Sequence, residues 1–324
     1  MEKLVYYLKQ MLMIPQKNIR LFLIVLLAAA LFAGCKKDEP EQPKPDSTPV
    51  QQLSKDDNSV EENMDEALVD AGQVVAGTGK SAAMDIPCGA TLDSTYLVSD
   101  TIVYRLTYDG LNCAQNKYRT GTVLIKIKQN TSWFLPGAYI TIELYDYEVT
   151  RLPGNQSMVI NGRAQIENVN GGIVELLGNG FNAIIHKNSA HIHVVFNGHQ
   201  PREWHLARMM VYSGSPGNLM LAVNGFGNAG SYSNLLSWGH DRSGKQFFTE
   251  IGESVVFRES CQWLPYAGEE IITIPEINLR ATVTFGFNSN NQPVAGSECP
   301  TRYRLHWQQH GQSGTIFLPL ISNN

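Results

Sequence analysis

Apolar and polar residues alternate along most of the chain, from about Pro87 to Leu320. The period is two, as at Val123, Ile125 and Ile127, and it recurs in roughly a dozen runs. Because successive side chains of a strand point to opposite faces, this pattern predicts half-buried strands. Clusters of Gly, Asn, Asp and Pro separate the runs, and no long helical pattern lies between them. We therefore expect an all-β fold, an antiparallel β-sandwich.

The length of this β region argues for two domains. About 235 residues are many for one sandwich, and two sandwiches of about 110 to 120 residues fit the usual size better. Arg followed by Thr or Ser and then Gly precedes a strand in each half, at Arg119 and at Arg242. We expect two tandem sandwiches, at residues 86–200 and 201–324.

A helical period marks the segment before the first strand. Met64, Leu68, Ala71 and Val75 recur at helical spacing, and two glycines follow at residues 77 and 79. This pattern predicts a short amphipathic helix within residues 58–80. Acidic residues are concentrated toward its expected start, where they suit the helix dipole.

The first 34 residues have the pattern of a secretion signal. A basic stretch ending at Arg20 leads into an apolar run that is shorter than the roughly 20 residues a membrane-spanning helix needs. Residues 31–35 (LFAGC) resemble a bacterial lipobox, in which the cysteine receives the lipid. We expect residues 1–34 to be a lipoprotein signal peptide and Cys35 to be the lipid attachment site. A plain signal peptide with an incidental cysteine is the alternative.

Residues 35–57 are rich in proline and charge and contain few large apolar side chains. Such a composition cannot offset the entropy of ordering, which predicts a flexible tether. Residues 36–39 (KKDE) resemble the charged export signal of surface-exposed lipoproteins, although they are equally well explained as solvated linker.

The net charge limits the classes of partner that the protein can bind, and the number of cysteines indicates the compartment in which it resides. The formal net charge is −5, and no basic patch is concentrated anywhere, which argues against nucleic acid as a partner. Apart from Cys35 the number of cysteines is even, as expected in an oxidising compartment. Three pairings are open, of which Cys88 with Cys113 and Cys261 with Cys299 is the most economical. Reduced, buried cysteines are the alternative.

Several short motifs accompany these features. They include a cysteine after a Gly-containing turn at residues 108–113 (YDGLNC) and the late segment at residues 261–263 (CQW). With the lipobox and the acidic helix, they resemble an uncharacterised family of Bacteroidota outer-membrane and surface lipoproteins. The C-terminal third, with TFGF at residues 284–287, departs from the family's pattern. The resemblance implies a lipid-anchored location at the outer membrane, facing the periplasm or the exterior, and no established activity.

Five of the eight histidines fall within residues 186–205. His191 and His193 are two residues apart on a predicted strand, so both rings lie on one face, and a third ring from a neighbouring strand would complete a zinc site. Alternation with Ile192 and Val194 describes equally well a strand with one wet face. We expect no metal, and keep His191 and His193 as the only candidate ligands.

Other chemistry is sparse. The chain contains no nucleophile elbow, zinc-protease or phosphate-loop motif. Trp238, within residues 237–241 (SWGHD), is expected on a loop, where it is the best candidate for stacking on a sugar.

These features predict a lipid-anchored cell-envelope protein with a non-catalytic binding or structural role and no cofactor. Its expected partners are the membrane, through the N-terminal lipid, and a glycan or another envelope protein. One alternative is a surface carbohydrate-binding lipoprotein of a polysaccharide uptake system. Another is a metal-dependent enzyme that uses His191 and His193.

Overall fold

A computed structural model describes residues 46–76 and 86–320. The predicted signal peptide (residues 1–34), the lipid site Cys35 and the tether up to residue 45 lie outside the described residues, as do residues 77–80 at the predicted end of the helix. None of the helices in the described part combines the length and the apolar character that crossing a membrane requires.

The described residues form one α-helix and 15 strands. Helix α1 spans Thr48–Ala76. The strands are β1 Ala90–Val98, β2 Thr101–Leu111, β3 Lys117–Lys128, β4 Ala138–Arg151, β5 Gln156–Asn168, β6 Ala183–Phe196, β7 Arg202–Ser213, β8 Met220–Gly225, β9 Gly227–Ala229, β10 Tyr232–His240, β11 Gln246–Arg258, β12 Leu264–Ile274, β13 Leu279–Phe287, β14 Arg302–Gln309 and β15 Gln312–Pro319. Short 3-10 helices lie at Val174–Leu176, Glu259–Cys261 and Pro275–Ile277.

All 15 strands belong to one hydrogen-bonded sheet, and every pair of neighbouring strands is antiparallel. The strands follow chain order from β1 to β7 and from β10 to β15, and β7 pairs directly with β10. β8 pairs with the remaining parts of β7 and β11, and β9 pairs with β10. Short connections between consecutive strands favour such antiparallel pairing. The predicted all-β class is confirmed.

Two tandem domains are not confirmed. The predicted boundary at residues 200 and 201 falls in the connection between β6 and β7, and these two strands pair along most of their length, from Ala183 opposite Ser213 to Val194 opposite Arg202. Buried side chains from both halves also belong to one hydrophobic core. The described residues therefore form a single unit in which the sheet is continuous.

Helix α1 occupies the middle of that core. Its buried side chains, among them Leu53, Val60 and Met64, belong to the same cluster as residues of β2 to β7 and β11 to β14. Asp70 near its end contacts Tyr108 of β2, whereas Ser54 near its start contacts Tyr303 of β14. Since strands from both ends of the sheet reach the helix, the sheet curves around it.

The predicted bounds of the helix and the tether were wrong. α1 begins at Thr48, so residues 48–57 are helical rather than part of a flexible tether. Val50 and Leu53 extend the apolar face toward the N-terminus, and both are buried. Asp56 and Asp57, which the composition assigns to the tether, are buried as well, and they are bonded to Arg242 in the β10–β11 turn and to Ser237 on β10, respectively. The tertiary partners of these residues outweigh their polar composition.

Charge complementarity holds α1 against the sheet. The helix carries seven acidic residues and one lysine. The expected dipole effect was wrong, because none of the acidic residues lies in the first turn. Six of the seven pair instead with basic side chains, which are Lys117, Arg119, Arg151 and Arg208 on the strands and Arg242 in the turn between β10 and β11.

Two disulfides bridge neighbouring segments of the sheet. Cys88 is bonded to Cys113 and Cys261 to Cys299, with sequence separations of 25 and 38 residues. The economical local pairing is confirmed, and the alternative of reduced cysteines is wrong. One bond ties the start of β1 to the connection between β2 and β3. The other ties the segment after β11 to the connection between β13 and β14.

Candidate functional site

The outer face of the β6–β7 hairpin collects four polar side chains. In the strand register His191 lies opposite His205, and His193 lies opposite Glu203. Ile192, between the two histidines of β6, is buried in the core. The alternation predicted for this strand is therefore confirmed, and pairing with β7 adds one carboxylate and one imidazole to the exposed face.

Glu203 bridges two of these histidines. Its Oε1 lies 3.0 Å from Nε2 of His191 and 3.0 Å from Nε2 of His205. The two imidazole rings stack, with centroids 4.4 Å apart and an angle of 16° between their planes. One donor atom from each of the three residues lies within 4.8 Å of the other two. We call this set the His–Glu–His cluster.

The electrostatics of the cluster favour an anionic carboxylate beside a neutral ring. Burial raises the pKa of Glu203, but hydrogen bonds and charge from His205 and His191 outweigh it, so that the pKa is lowered overall. Burial lowers the pKa of His205, and the hydrogen bond to Glu203 opposes this only in part. Near pH 7, Glu203 is therefore ionised and His205 is mostly neutral, with a lone pair available to a ligand.

Trp238 lies beside the cluster, and its predicted position was wrong. It belongs to β10, not to a loop. Its ring stacks on His205, with centroids 5.0 Å apart and planes 3° from parallel. Gly227 leaves room for the indole, since a Cβ at that position would lie 2.4 Å from Cζ3 of Trp238. The strand position arises because β10 pairs with β7, which places Trp238 opposite His205.

An open groove runs along the other side of the histidines. Its volume is about 430 Å³, and β4, β5 and β6 line it with Glu143, Leu144, Tyr145, Asn161, Gly162, Arg163, His191 and His193. A bulge in β4 interrupts the pairing with β5 between Leu144 and Tyr147. Bulges redirect side chains at such positions, and Tyr145 here is 50% exposed. Its hydroxyl donates to Oε2 of Glu143 over 3.0 Å.

The five histidines of residues 186–205 do not form one site. His186 faces the interior, where it packs between Trp133 and Tyr212, and burial lowers its pKa to about 4. His199 is exposed in the turn between β6 and β7. His193 lies beside His191, with ring centroids 5.9 Å apart, but it does not belong to the cluster. Of the two candidate residues, His191 thus belongs to the cluster with Glu203 and His205, whereas His193 does not.

A signal for the β6–β7 hairpin is present in the sequence. Asn197-Gly198 is a common two-residue hairpin turn, and both residues have positive φ, 49° and 72°. The turn identifies the hairpin but not its register, since a strict two-residue loop would place His191 opposite Trp204, whereas the strands pair with His191 opposite His205. Two imidazoles and a carboxylate on adjacent strands are suited to binding a metal ion, while the groove offers an aromatic ring among hydrogen-bonding groups.

No family model, curated protein or solved structure matches this chain. The functional argument therefore rests on the site and on the sequence features that precede it.

Proposed function

We propose that the protein is a lipid-anchored component of the bacterial outer membrane with a non-catalytic binding role. The observation that carries this proposal is the pairing of all four cysteines outside the predicted lipobox into two disulfides. Disulfides persist in oxidising compartments and are rare in the cytosol. They support export, which the predicted signal peptide and Cys35 require.

The start of α1 supports a short connection to the membrane. Asp46 precedes the helix, and its Oδ1 accepts a hydrogen bond from the backbone N–H of Thr48 over 2.9 Å. Only the ten residues 36–45 separate Cys35 from this point. Fully extended, ten residues span at most about 35 Å. The segment that would join a lipid at Cys35 to α1 is therefore short.

The surface that such an anchored protein presents is the outer face of β4 to β7 and β10. The His–Glu–His cluster, Trp238 and the groove lie next to one another there. Polar groups that converge on a groove are typical of ligand sites. We assign the binding role to this face, with a glycan or another envelope protein as the partner.

Replacing Cys35 with Ala should remove the protein from the membrane fraction or stall its processing. Stable attachment needs two or more acyl chains, and the thiol is the site at which lipidation begins. Fractionation of cells followed by mass spectrometry of the N-terminal peptide measures both outcomes. Gln42→Ala, which keeps the lipobox cysteine and lies outside residues 36–39, is the matched control. A Cys35→Ala protein that is processed and fractionates like the wild type would show that the anchor proposal is wrong.

Carbohydrate binding in a polysaccharide uptake system is the second candidate, and Tyr145 is the observation that favours it. The ring is exposed at the groove beside Glu143, Asn161 and Arg163. Aromatic faces stack on the apolar face of sugars, and carboxylate, amide and guanidinium groups bond to hydroxyls.

Tyr145→Ala should weaken glycan binding about fivefold or more, which corresponds to a stacking contact of about 1 kcal/mol. A glycan array identifies the ligand, and titration calorimetry gives the affinity. Tyr139→Ala is the control, because this residue is 54% exposed on the same strand and does not line the groove. Equal affinities of both variants and the wild type would exclude the groove as the sugar site.

A further inference from the structure

We propose that His191, Glu203 and His205 bind a divalent first-row transition-metal ion, such as Zn²⁺, on the outer face of the β6–β7 hairpin. The inference deepens the binding role assigned to this face and does not depend on the lipid anchor. If the metal proposal fails, the lipid-anchor proposal is still tested by the Cys35→Ala experiment, and the reverse also holds.

The spacing of the donor atoms is close to that of a metal site. Zinc bonds to histidine nitrogen and carboxylate oxygen at about 2.0–2.2 Å, so that neighbouring ligands of a tetrahedral ion lie about 3.3–3.5 Å apart. Oε1 of Glu203 is already 3.0 Å from both Nε2 atoms. All three donors lie within 4.8 Å of one another. Small side-chain rotations are enough to admit the ion.

The backbone fixes the ligands relative to one another. His191 and His205 occupy directly opposed positions of paired strands, and Glu203 lies two residues before His205 on the same face. The stacked imidazoles point their Nε2 atoms at the same carboxylate oxygen. A site on paired strands is held more precisely than a site on a loop.

The donor set also suits the ion chemically. Imidazole nitrogen and carboxylate oxygen are ligands for zinc and its neighbours in the first transition row. Without metal, Nε2–H of each ring donates to Glu203. When an ion binds, each ring carries its proton on Nδ1 and turns the Nε2 lone pair toward the ion, while Glu203 contributes its negative charge.

Trp238 covers one side of the His–Glu–His cluster, and the other side opens onto the groove. Trp238 stacks on His205 and holds the orientation of that ring, as outer partners of metal ligands commonly do. His191 is exposed and also lines the groove. With three protein ligands, a fourth position is left for water or for a donor atom of a molecule bound in the groove.

Titration calorimetry with ZnCl₂ tests the site. We would use the full chain, purified in detergent without a histidine tag and treated with a chelator. The wild type should bind one tight equivalent of Zn²⁺. His205→Gln, His191→Gln and Glu203→Gln should each weaken binding at least as much as loss of an outer-shell partner does, roughly 10–100-fold. Circular dichroism and thermal unfolding without metal verify that each variant is folded.

Two histidine variants serve as matched controls. His193→Gln removes an exposed ring from the same strand face, and His199→Gln removes one from the adjoining turn. Both should change zinc affinity by less than about threefold, because neither residue is a ligand. Co²⁺ in place of Zn²⁺ should give the visible absorption of a four-coordinate ion in the wild type and lose it in His205→Gln.

The proposal is overturned if the wild type binds no Zn²⁺ when the free ion is at about 100 times a micromolar dissociation constant. A site of micromolar affinity would be nearly saturated at that concentration. The proposal is also overturned if the three ligand variants bind like the wild type, or if His193→Gln abolishes binding while His205→Gln does not. That last result would assign the metal to the pair of adjacent histidines on β6.

Discussion

Replacing Arg119 with Met is expected to lower the free energy of unfolding by about 3–5 kcal/mol, the cost of leaving a buried charge without its partner. The side chain of Arg119 is 1% exposed. Its Nη1 donates to Oδ2 of Asp70 over 2.7 Å, and its Nη2 donates to the carbonyl oxygen of Cys88 over 2.6 Å. One side chain thus joins α1, β3 and the segment that bears the first disulfide.

The physical reason lies in what Asp70 would lose. Burial raises the pKa of Asp70, and the charge of Arg119 is the main influence that opposes this rise. Methionine fills a similar volume but offers neither charge nor donor, so the carboxylate would keep only the hydrogen bond from Tyr108. Either it stays ionised in an apolar environment or it takes up a proton, and both states destabilise the fold.

Arg105→Met is the matched control for this prediction. Arg105 lies on the neighbouring strand β2, is 52% exposed, and has its Nε 3.5 Å from Oδ2 of Asp93. Exposed pairs of this kind contribute less than about 1 kcal/mol. Guanidinium unfolding of both variants gives the comparison, and the double variant Arg119→Met/Asp70→Asn should recover part of the loss. Similar losses for the two arginines would contradict a structural role of the buried pair.

Glu61→Gln is expected to gain about 3 kcal/mol in free energy of unfolding relative to the wild type as the pH rises from about 4.5 to about 7. Burial raises the pKa of Glu61 from 4.5 to about 7, against the charge of Arg208. Within this window the folded state holds a proton that the unfolded state has released. The contribution of Glu61 to the free energy of unfolding therefore decreases by about 1.4 kcal/mol per pH unit, or about 3 kcal/mol in all.

The groups around Glu61 act in the same direction. Glu270 on β12 is buried, and burial, followed by the charges of Glu61 and Asp57, raises its pKa as well. Arg208 donates to Glu61 over 3.1 Å and also bonds to Asp65. One cation thus faces several acidic groups, and the arrangement favours a proton on at least one of them.

Glu66 titrates in the opposite sense but in a lower window. Although burial raises its pKa, Lys117 and Arg119 outweigh that effect and lower it below 4.5. Its contribution to stability is therefore complete above pH 4.5 and is lost only as the pH falls through the lowered pKa. That window lies below the one in which Glu61 acts. His186 acts in the opposite sense within the window of Glu61, because burial lowers its pKa to about 4, so it is the comparison of Glu61→Gln with the wild type, in which His186 is unchanged, that isolates the effect of Glu61.

Chemical unfolding of the wild type and Glu61→Gln across that range tests the prediction. The quantity to compare is the free energy of unfolding of Glu61→Gln minus that of the wild type. It should be about 3 kcal/mol larger at pH 8 than at pH 4.5. Glu253→Gln, at an exposed position of β11, should leave the pH profile unchanged. Parallel profiles for the wild type and Glu61→Gln would contradict a shared proton in the core.

The sequence alone determined the features that depend on neighbouring residues. Val123, Ile125 and Ile127 are buried as their alternation predicts, because the strand period is two wherever a strand has one core face. Met64 and Ala71 are buried on one side of α1 for the corresponding helical reason. The disulfides follow the most economical of the three pairings that the sequence leaves open, since each joins cysteines that are near in sequence and bracket strands.

Local signals in the sequence indicate where the helix starts, but the polar composition of residues 35–57 favoured a flexible tether. Asp46 caps the backbone N–H of Thr48, and Pro49 lies in the first turn, both of which are helix-start signals. The charged side chains of Asp56 and Asp57 favoured a solvent-exposed segment instead. Their partners lie far away in the chain, 186 residues in the case of Arg242 and Asp56. No local pattern identifies a buried carboxylate whose partner is that distant.

Tertiary structure alone decided how the strands are paired and which side chains meet on their outer face. The pairing of β6 with β7 made one sheet of the two expected halves and placed Glu203 between His191 and His205. The pairing of β7 with β10 brought Trp238 onto His205. Periodicity assigns a side chain to a face, but only the register of paired strands decides which side chains of that face meet.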